Sequence, residues 1–309
     1  MAMADIHELI LRHGRNKARE MVPPESRRLV EIAAEMLAEE DHSIGVTYSG
    51  FCLTALPHKP TQLDETWVRQ GGRVTLMVIP GQRLIEGKPS YVGVPYGARA
   101  RMILFYLQSE ALKRRTREVV LGRSMNDWLA RMGMSVGGES FRAIREQSLR
   151  ISRCMLSFDW EGGDSVGNGH IQFGIVDGTI EFDARSDPRQ GALFEEVVHL
   201  SERFYNALAE HPVPVRDLAL RELSGQSMAL DCYCWLAYRL HSLSKPTPVS
   251  WAALFAQFGS GFSMQKHFKK PFIKALNAAL AAYPEARVTE NDNGFVLHPS
   301  RSPVPKLIA

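Results

Sequence analysis

The stretch 262–280, FSMQKHFKKPFIKALNAAL, restricts what this chain can fold into more than any other. Lys266, His267, Lys269, Lys270 and Lys274 fall within nine positions, while Phe268, Phe272, Ile273, Leu276, Ala279 and Leu280 recur at the spacing of one helical face. A helix with this pattern buries its apolar stripe and turns positive charge outward. Upstream, WAALFAQFG at 251–259 reads as a short amphipathic helix stopped by Gly259. Downstream, 286–288 and 295–297 are β-prone runs separated by Asn291, Asp292, Asn293 and Gly294. Short helix, turn, longer basic helix and hairpin, in that order, predict a winged helix-turn-helix whose second helix enters the major groove of DNA.

A similar order of elements is expected earlier in the chain. An apolar helix over 102–107 and the residues after it is followed by a short strand at 118–121, then by a helix over 126–134 with Ser124 as N-cap and Asp127 three residues on. Gly133 and 135–138 supply a turn. The segment 139–153, ESFRAIREQSLRISR, then forms an amphipathic helix with Phe141, Ile144, Leu149 and Ile151 inward and Arg142, Arg145, Arg150 and Arg153 outward. Strands at 154–160 and 170–176 close the unit as a hairpin with an acidic tip. The two copies agree in order of elements and not in sequence.

At 309 residues, with 45% apolar and 23% charged residues, the chain can bury two ordinary cores. The net charge of +3 hides its distribution. Residues 97–153 carry 12 Arg or Lys against 5 Asp or Glu, 154–200 carry 2 against 9, and 245–309 carry 8 against 3. Each basic block coincides with a helix of the predicted DNA-reading type. The expected architecture is α+β, two winged helix-turn-helix domains in tandem, the first with extra N-terminal strands and a helix. Its parts are an N-terminal arm and helix (1–43), a first winged-helix domain (44–183), a linker that opens with ARSDPRQGA (184–194), a second winged-helix domain (195–300) and a tail (301–309). Residues 44–56 are expected to be extended, and 67–80 to form a hairpin around Gly71-Gly72 with Val74, Leu76 and Val78 on one face. Pro23-Pro24 interrupts the first segment, leaving a partly ordered arm.

Lys and Arg neutralise phosphates and give affinity without sequence choice, whereas specificity needs side chains at base edges. In the second domain Ser263, Gln265, Lys266 and Lys270 are candidates for base or nearby backbone contacts, and Lys269, Lys274 and Arg287 for phosphate contacts. His267 is either a base or phosphate contact or a plain surface imidazole. Ser140, Arg142 and Arg145, with Arg150 in the same series, are the equivalents in the first domain. Helices with Lys or Arg outside also serve as ordinary solvated faces, and that reading competes for the arginine series. Arg114, Arg115 and Arg117 are a solvated turn or backbone clamps, and Trp160 and Trp235 read as core.

Several functional classes lack their residues. No G-x-x-x-x-G-K-[ST] loop is present, no His-x-His pair accompanies a candidate nucleophilic tyrosine, and Cys52, Cys154, Cys232 and Cys234 have no metal-ligand spacing. No cofactor or metal is expected, and the cysteines read as buried thiols in a reducing compartment. With no signal-peptide h-region and no stretch of about 20 uncharged apolar residues, the expectation is a cytoplasmic protein with no membrane contact.

The blocks MALDCYCWLAYRLHSL (228–243), WAALFAQFG (251–259), FKKPFIKALNAAL (268–280), YPEARV (283–288) and GFVLHPSRSPVP (294–305) together resemble bacterial plasmid replication proteins of the RepA type. The likeness is clearest toward the C-terminus and extends more loosely back to residue 90. It implies an initiator that binds repeated double-stranded DNA sequences at a plasmid origin, opens an adjacent A·T-rich duplex and recruits a host initiator, helicase or helicase loader. It also implies two winged-helix domains and a homodimer that represses its own promoter. Pro271 departs from the pattern by interrupting the basic helix, which moves its expected start to Lys269 or Lys270. A winged-helix transcriptional repressor shares these residues, and an enzyme with a small-ligand pocket is the reading from another class.

Overall fold

Residues 3–40, 43–162, 167–180 and 196–304 are described by a computed structural model, a mixed α/β fold of helices and small sheets. One unit joins Met1–Gly45 to Val213–Ala309, and the other is Val46–Pro212.

The terminal unit is built around the helix Ser227–Leu240, whose residues Ala229 to Ala237 are all buried. The sequence MALDCYCWLA has no polar stripe, so the helix is enclosed on every side. A strand Thr247–Ser250 follows, then helices Trp251–Phe258 and Gln265–Ala281, then the hairpin Val288–Asn291 with Gly294–Leu297. The first strand pairs antiparallel with the last, which pairs with the middle one. Gly294 is required at this crossing, because its φ is 149° and an added Cβ would lie 2.1 Å from the Val249 carbonyl oxygen.

The expected partly ordered arm is a packed helix over its described residues. Helices Met3–Met21, kinked at Gly14, and Arg27–Ala38 pack on each other and on the basic helix, burying Ile6, Ile10, Val30, Ala33 and Met36. His7 Nε2 lies 3.1 Å from the carbonyl oxygen of Ala281, at the last turn of Gln265–Ala281. A buried ion pair between Arg216 and Glu39 at 2.5 Å fixes the end of the second helix to the C-terminal half. Pro23-Pro24 breaks the helix without freeing the segment, since Pro24 opens a short 3-10 turn, Pro24–Ser26.

The central unit holds a four-stranded antiparallel sheet, Trp67–Gly71, Val74–Ile79, Met155–Trp160 and Gly169–Gly174. Alternation puts Leu76, Val78, Leu156, Phe158 and Phe173 on its buried face. The expected hairpin around Gly71-Gly72 is therefore present, and Val74 is half-buried at its end. Against that face Tyr48, Phe158, Phe173 and Phe204 form an aromatic cluster with ring centres 5.2 to 6.3 Å apart. The helices Gly97–Arg114, Met125–Arg131 and Gly138–Arg153 complete the core with Ile103, Leu107, Trp128, Leu129, Ile144 and Ile151. Ser124 caps the middle helix through the Asp127 N–H at 3.2 Å, and the Asp127 carboxylate accepts from the Arg123 N–H at 3.1 Å. The Arg131 guanidinium bonded to Asp127 holds its carboxyl below the usual range.

Two expectations change here, and a third falls where nothing is described. The expected linker at 184–194 and residues 163–166 of the acidic tip lie outside the described residues. The division at 183/195 differs from the observed units, because strand Glu196–Leu200 pairs with Glu118–Gly122 and helix Glu202–Glu210 buries Phe204 in the central aromatic cluster. Such long-range pairing leaves no trace in local composition. Residues 44–56 are extended only over Ile44–Tyr48 and then turn into the helix Ser49–Leu53.

Candidate nucleic-acid interface

The basic helix of the terminal unit sits on an aromatic floor. Phe268 and Phe272 are fully buried, with ring centres 5.0 Å apart. Phe255 and Phe262 pack on Phe268 at 5.5 and 5.7 Å, while Trp251, Phe258 and Phe295 pack on Phe272 at 6.1, 5.4 and 6.1 Å. Truncating one such ring costs about 3–5 kcal/mol, so the orientation of this helix is set by its buried side.

The outer side follows from the same periodicity. Lys266, His267, Lys270 and Lys274 are exposed on one face, and no acid lies anywhere on Gln265–Ala281. Ser263 is exposed in the turn, Gln265 is half-buried in the first helical turn, and Arg287 is exposed just before the hairpin. The first turn adds the positive end of the helix dipole to this cationic face, which suits a phosphate. Lys269 is different: it is half-buried, with Nζ 4.8 Å from the centre of the Trp251 ring.

Pro271 does not interrupt the helix, which runs unbroken from Gln265 with Met264 as N-cap. Pro271 is exposed, and it removes only the N–H that would have bonded to the carbonyl of His267. The start expected at Lys269 or Lys270 is thus corrected to Gln265, which adds Lys266 and His267 to the helical face. Sequence reasoning passed over Met264, 47% exposed at the N-cap, and Asn277, half-buried three residues beyond Lys274. Asn277 lies three residues beyond Lys274, the other spacing that keeps a residue on the same helical face, and could have been drawn in by it, whereas nothing in the sequence marks Met264.

In the central unit, Gly138–Arg153 exposes Arg142, Arg145 and Arg153. Two of the candidates on this helix are structural. Ser140 is 8% exposed, turned into the core side of the first turn. Arg150 is 6% exposed, its guanidinium held by Glu146 at 2.9 Å and by the Val94 carbonyl at 3.1 Å, over the Tyr96 ring at 5.0 Å. Buried and bonded in this way, the guanidinium is not presented to a phosphate. Arg117 bonds Asp177 and the Leu200 carbonyl, both at 3.2 Å, and Arg114 pairs with Glu110 at 3.1 Å, which gives both a local structural role. Trp235 packs in the core at 5.5 Å from Phe258. The four cysteines are free and buried, and burial pushes the Cys154 thiol up to about 12. Among the described residues no cluster of His, Cys, Asp or Glu could hold a metal, and no helix is long and apolar enough to cross a membrane.

Residues 94–252, just over half of the chain, match the family model described as "Plasmid encoded RepA protein". The chain belongs to this family, that of the plasmid replication initiators. It is also similar to two solved structures of domains 2 and 3 of RctB, each 13% identical to it. The selenomethionine derivative aligns over 79% of this chain and 92% of its own with a TM-score of 0.47. The other aligns over 80% and 94% with a TM-score of 0.48. No curated protein matches the chain.

Proposed function

We propose that this protein initiates plasmid replication by binding repeated sequences at its replicon's origin through two winged-helix domains. One is formed within the terminal unit around Gln265–Ala281 and the other within the central unit around Gly138–Arg153. The observation that carries this reading is the acid-free face of Lys266, His267, Lys270 and Lys274, held outward by a buried aromatic floor between a turn and a hairpin. Membership of the RepA family supports it.

In this reading Lys266, Lys270 and Lys274 neutralise phosphates, with Ser263 and Gln265 at the leading end nearest the base edges, and Arg287 on the flanking backbone. Arg142 and Arg145 do the same for the central unit. Release of condensed counterions drives association, and the deformability of an A·T-rich neighbouring segment lets binding and bending free energy open the duplex. The protein carries no chemistry of its own. It acts in the cytoplasm, hands the opened strand to a host initiator, helicase or helicase loader, and as a dimer represses its own promoter.

The test is an anisotropy titration of the full chain against its replicon's own origin and a scrambled duplex of equal length, at several salt concentrations. Origin binding at least 100-fold tighter than scrambled, with a steep salt dependence, is expected. Equal affinity for both duplexes would remove the origin from the reading.

A further inference from the structure

The strands Gln82–Ile85 and Lys88–Tyr91 pair only with each other, a ribbon outside both larger sheets of the central unit. A free two-stranded ribbon is marginal in water, and this one returns almost no apolar surface to the protein, with Leu84 exposed at 72%. Its turn is well formed: Glu86 and Gly87 have φ of 51° and 76°, the pair of left-handed residues that a tight two-residue hairpin requires.

The root of the ribbon is fixed to the end of a helix already described. The Val92 N–H donates to the Gly81 carbonyl at 3.1 Å, closing the base. Gly81 approaches the Arg153 backbone so closely that an added Cβ would lie 1.9 Å from its carbonyl oxygen. One residue after Val92, Gly93 abuts the Arg150 guanidinium, which also holds the Val94 carbonyl. The ribbon therefore springs from the last turn of Gly138–Arg153, the helix that exposes Arg142 and Arg145. Four residues per strand carry its tip about 13 Å outward, farther than the minor groove is deep, about 7.5 Å.

In the observed register Leu84 opposes Pro89, Arg83 opposes Ser90 and Ile85 opposes Lys88. Leu84 and Pro89 thus share one face of the ribbon, and Arg83 and Lys88, one position to either side, lie on the other; long cationic side chains there reach groove walls while the apolar pair faces a base step, the combination that minor-groove elements use. The hairpin that follows Gly138–Arg153 in the chain is not free to do this, since its strand Met155–Trp160 is also bonded to Val74–Ile79 inside the four-stranded sheet. A second copy of the chain docked ribbon to ribbon would cover Leu84 but would bring Arg83 and Lys88 against their own counterparts, whereas duplex DNA suits both the charge and the wedge.

We propose that the ribbon 82–91 enters the minor groove of duplex DNA beside the segment contacted by Gly138–Arg153, with Arg83 and Lys88 on the flanking phosphates and Leu84 with Pro89 at a base step. This rests on the DNA-binding reading of that helix.

The test uses the full chain on its replicon's own origin, with two double variants, Arg83→Ala with Lys88→Ala and Leu84→Ser with Pro89→Ser. Hydroxyl-radical cleavage reads the minor groove, guanine N7 methylation reads the major groove, and gel mobility of permuted fragments reads the bend. The first variant should lose about tenfold in affinity together with its minor-groove protection. The second should lose the bend, and both should keep guanine N7 protection and the wild-type melting temperature. Unchanged hydroxyl-radical footprints in both variants would overturn the proposal. So would a loss of self-association with the footprint intact, which would assign the ribbon to a protein partner. Absence of any origin footprint with the unmutated chain would overturn the DNA-binding reading itself, and the ribbon's role with it.

Discussion

Lys269 lies with its Nζ 4.8 Å from the centre of the Trp251 ring, while Lys270, one residue on, is exposed. Two adjacent lysines of the same helix thus do different work. Lys269→Ala should lower stability by about 0.5–1 kcal/mol through loss of the cation–π contact and change the salt dependence of origin binding little. Lys270→Ala should leave the denaturation midpoint in place and reduce the slope of log affinity against log salt by about 0.9. Denaturant titration and binding at several salt concentrations separate the two.

Pro271 stands in a regular helix at an exposed position, where it removes one backbone hydrogen bond. Pro271→Ala restores the N–H opposite the His267 carbonyl and should therefore stabilise the terminal unit, by up to about 3 kcal/mol. A melting temperature that falls in the variant would mean that Pro271 makes packing contacts of greater worth than the bond it removes.

Arg150 is enclosed by Glu146, Val94 and Tyr96. Arg150→Ala leaves a buried carbonyl without its donor, at a cost of about 1–3 kcal/mol, and should leave the salt slope of DNA binding unchanged. Arg142→Ala should do the reverse. If Arg150→Ala flattened the salt slope in a protein of native stability, the guanidinium would belong to the interface after all.

Burial, with the charges of Arg101 and Arg69 beside it, lowers His58 from its usual 6.5 to about 3. The folded value lies below the unfolded one, so the neutral ring contributes stability that is fully present above pH 6.5 and lost as the pH falls from there toward 3. Unfolding monitored in the central unit should show this loss, and His58→Gln should flatten the pH profile over the same window. An identical profile in the variant would assign the acid sensitivity to other groups.

Much of the fold was legible because it is local. The stripe of Phe268, Phe272, Leu276 and Ala279 fixed which side of the basic helix is buried, and hence which lysines face out. Ser124 announced the start of a helix and accepts the N–H three residues on, at 3.2 Å. What stayed hidden depends on partners far away in sequence. Arg150 belongs to the same outward series as Arg142 and Arg145, and only the approach of Val94 and Tyr96 takes it out of solvent. Helices Met3–Met21 and Arg27–Ala38 carry an apolar stripe, but the partner that covers it, the basic helix at the far end of the chain, is not written in their own residues. The ribbon QRLIEGKPSY carries Pro89 and no clean alternation, so no strand was expected there, although its Glu-Gly turn and the Leu84–Pro89 pairing are plain once the register is known.

The proposal that lysines on one helical face make the phosphate contacts is tested by replacing Lys266, Lys270 and Lys274 together with Ala and measuring origin affinity from low to physiological salt. Loss of about 2.7 from the slope of log affinity against log salt, with the aromatic floor and the melting temperature intact, is the predicted result. A slope equal to that of the unmutated chain would show that this face does not meet DNA.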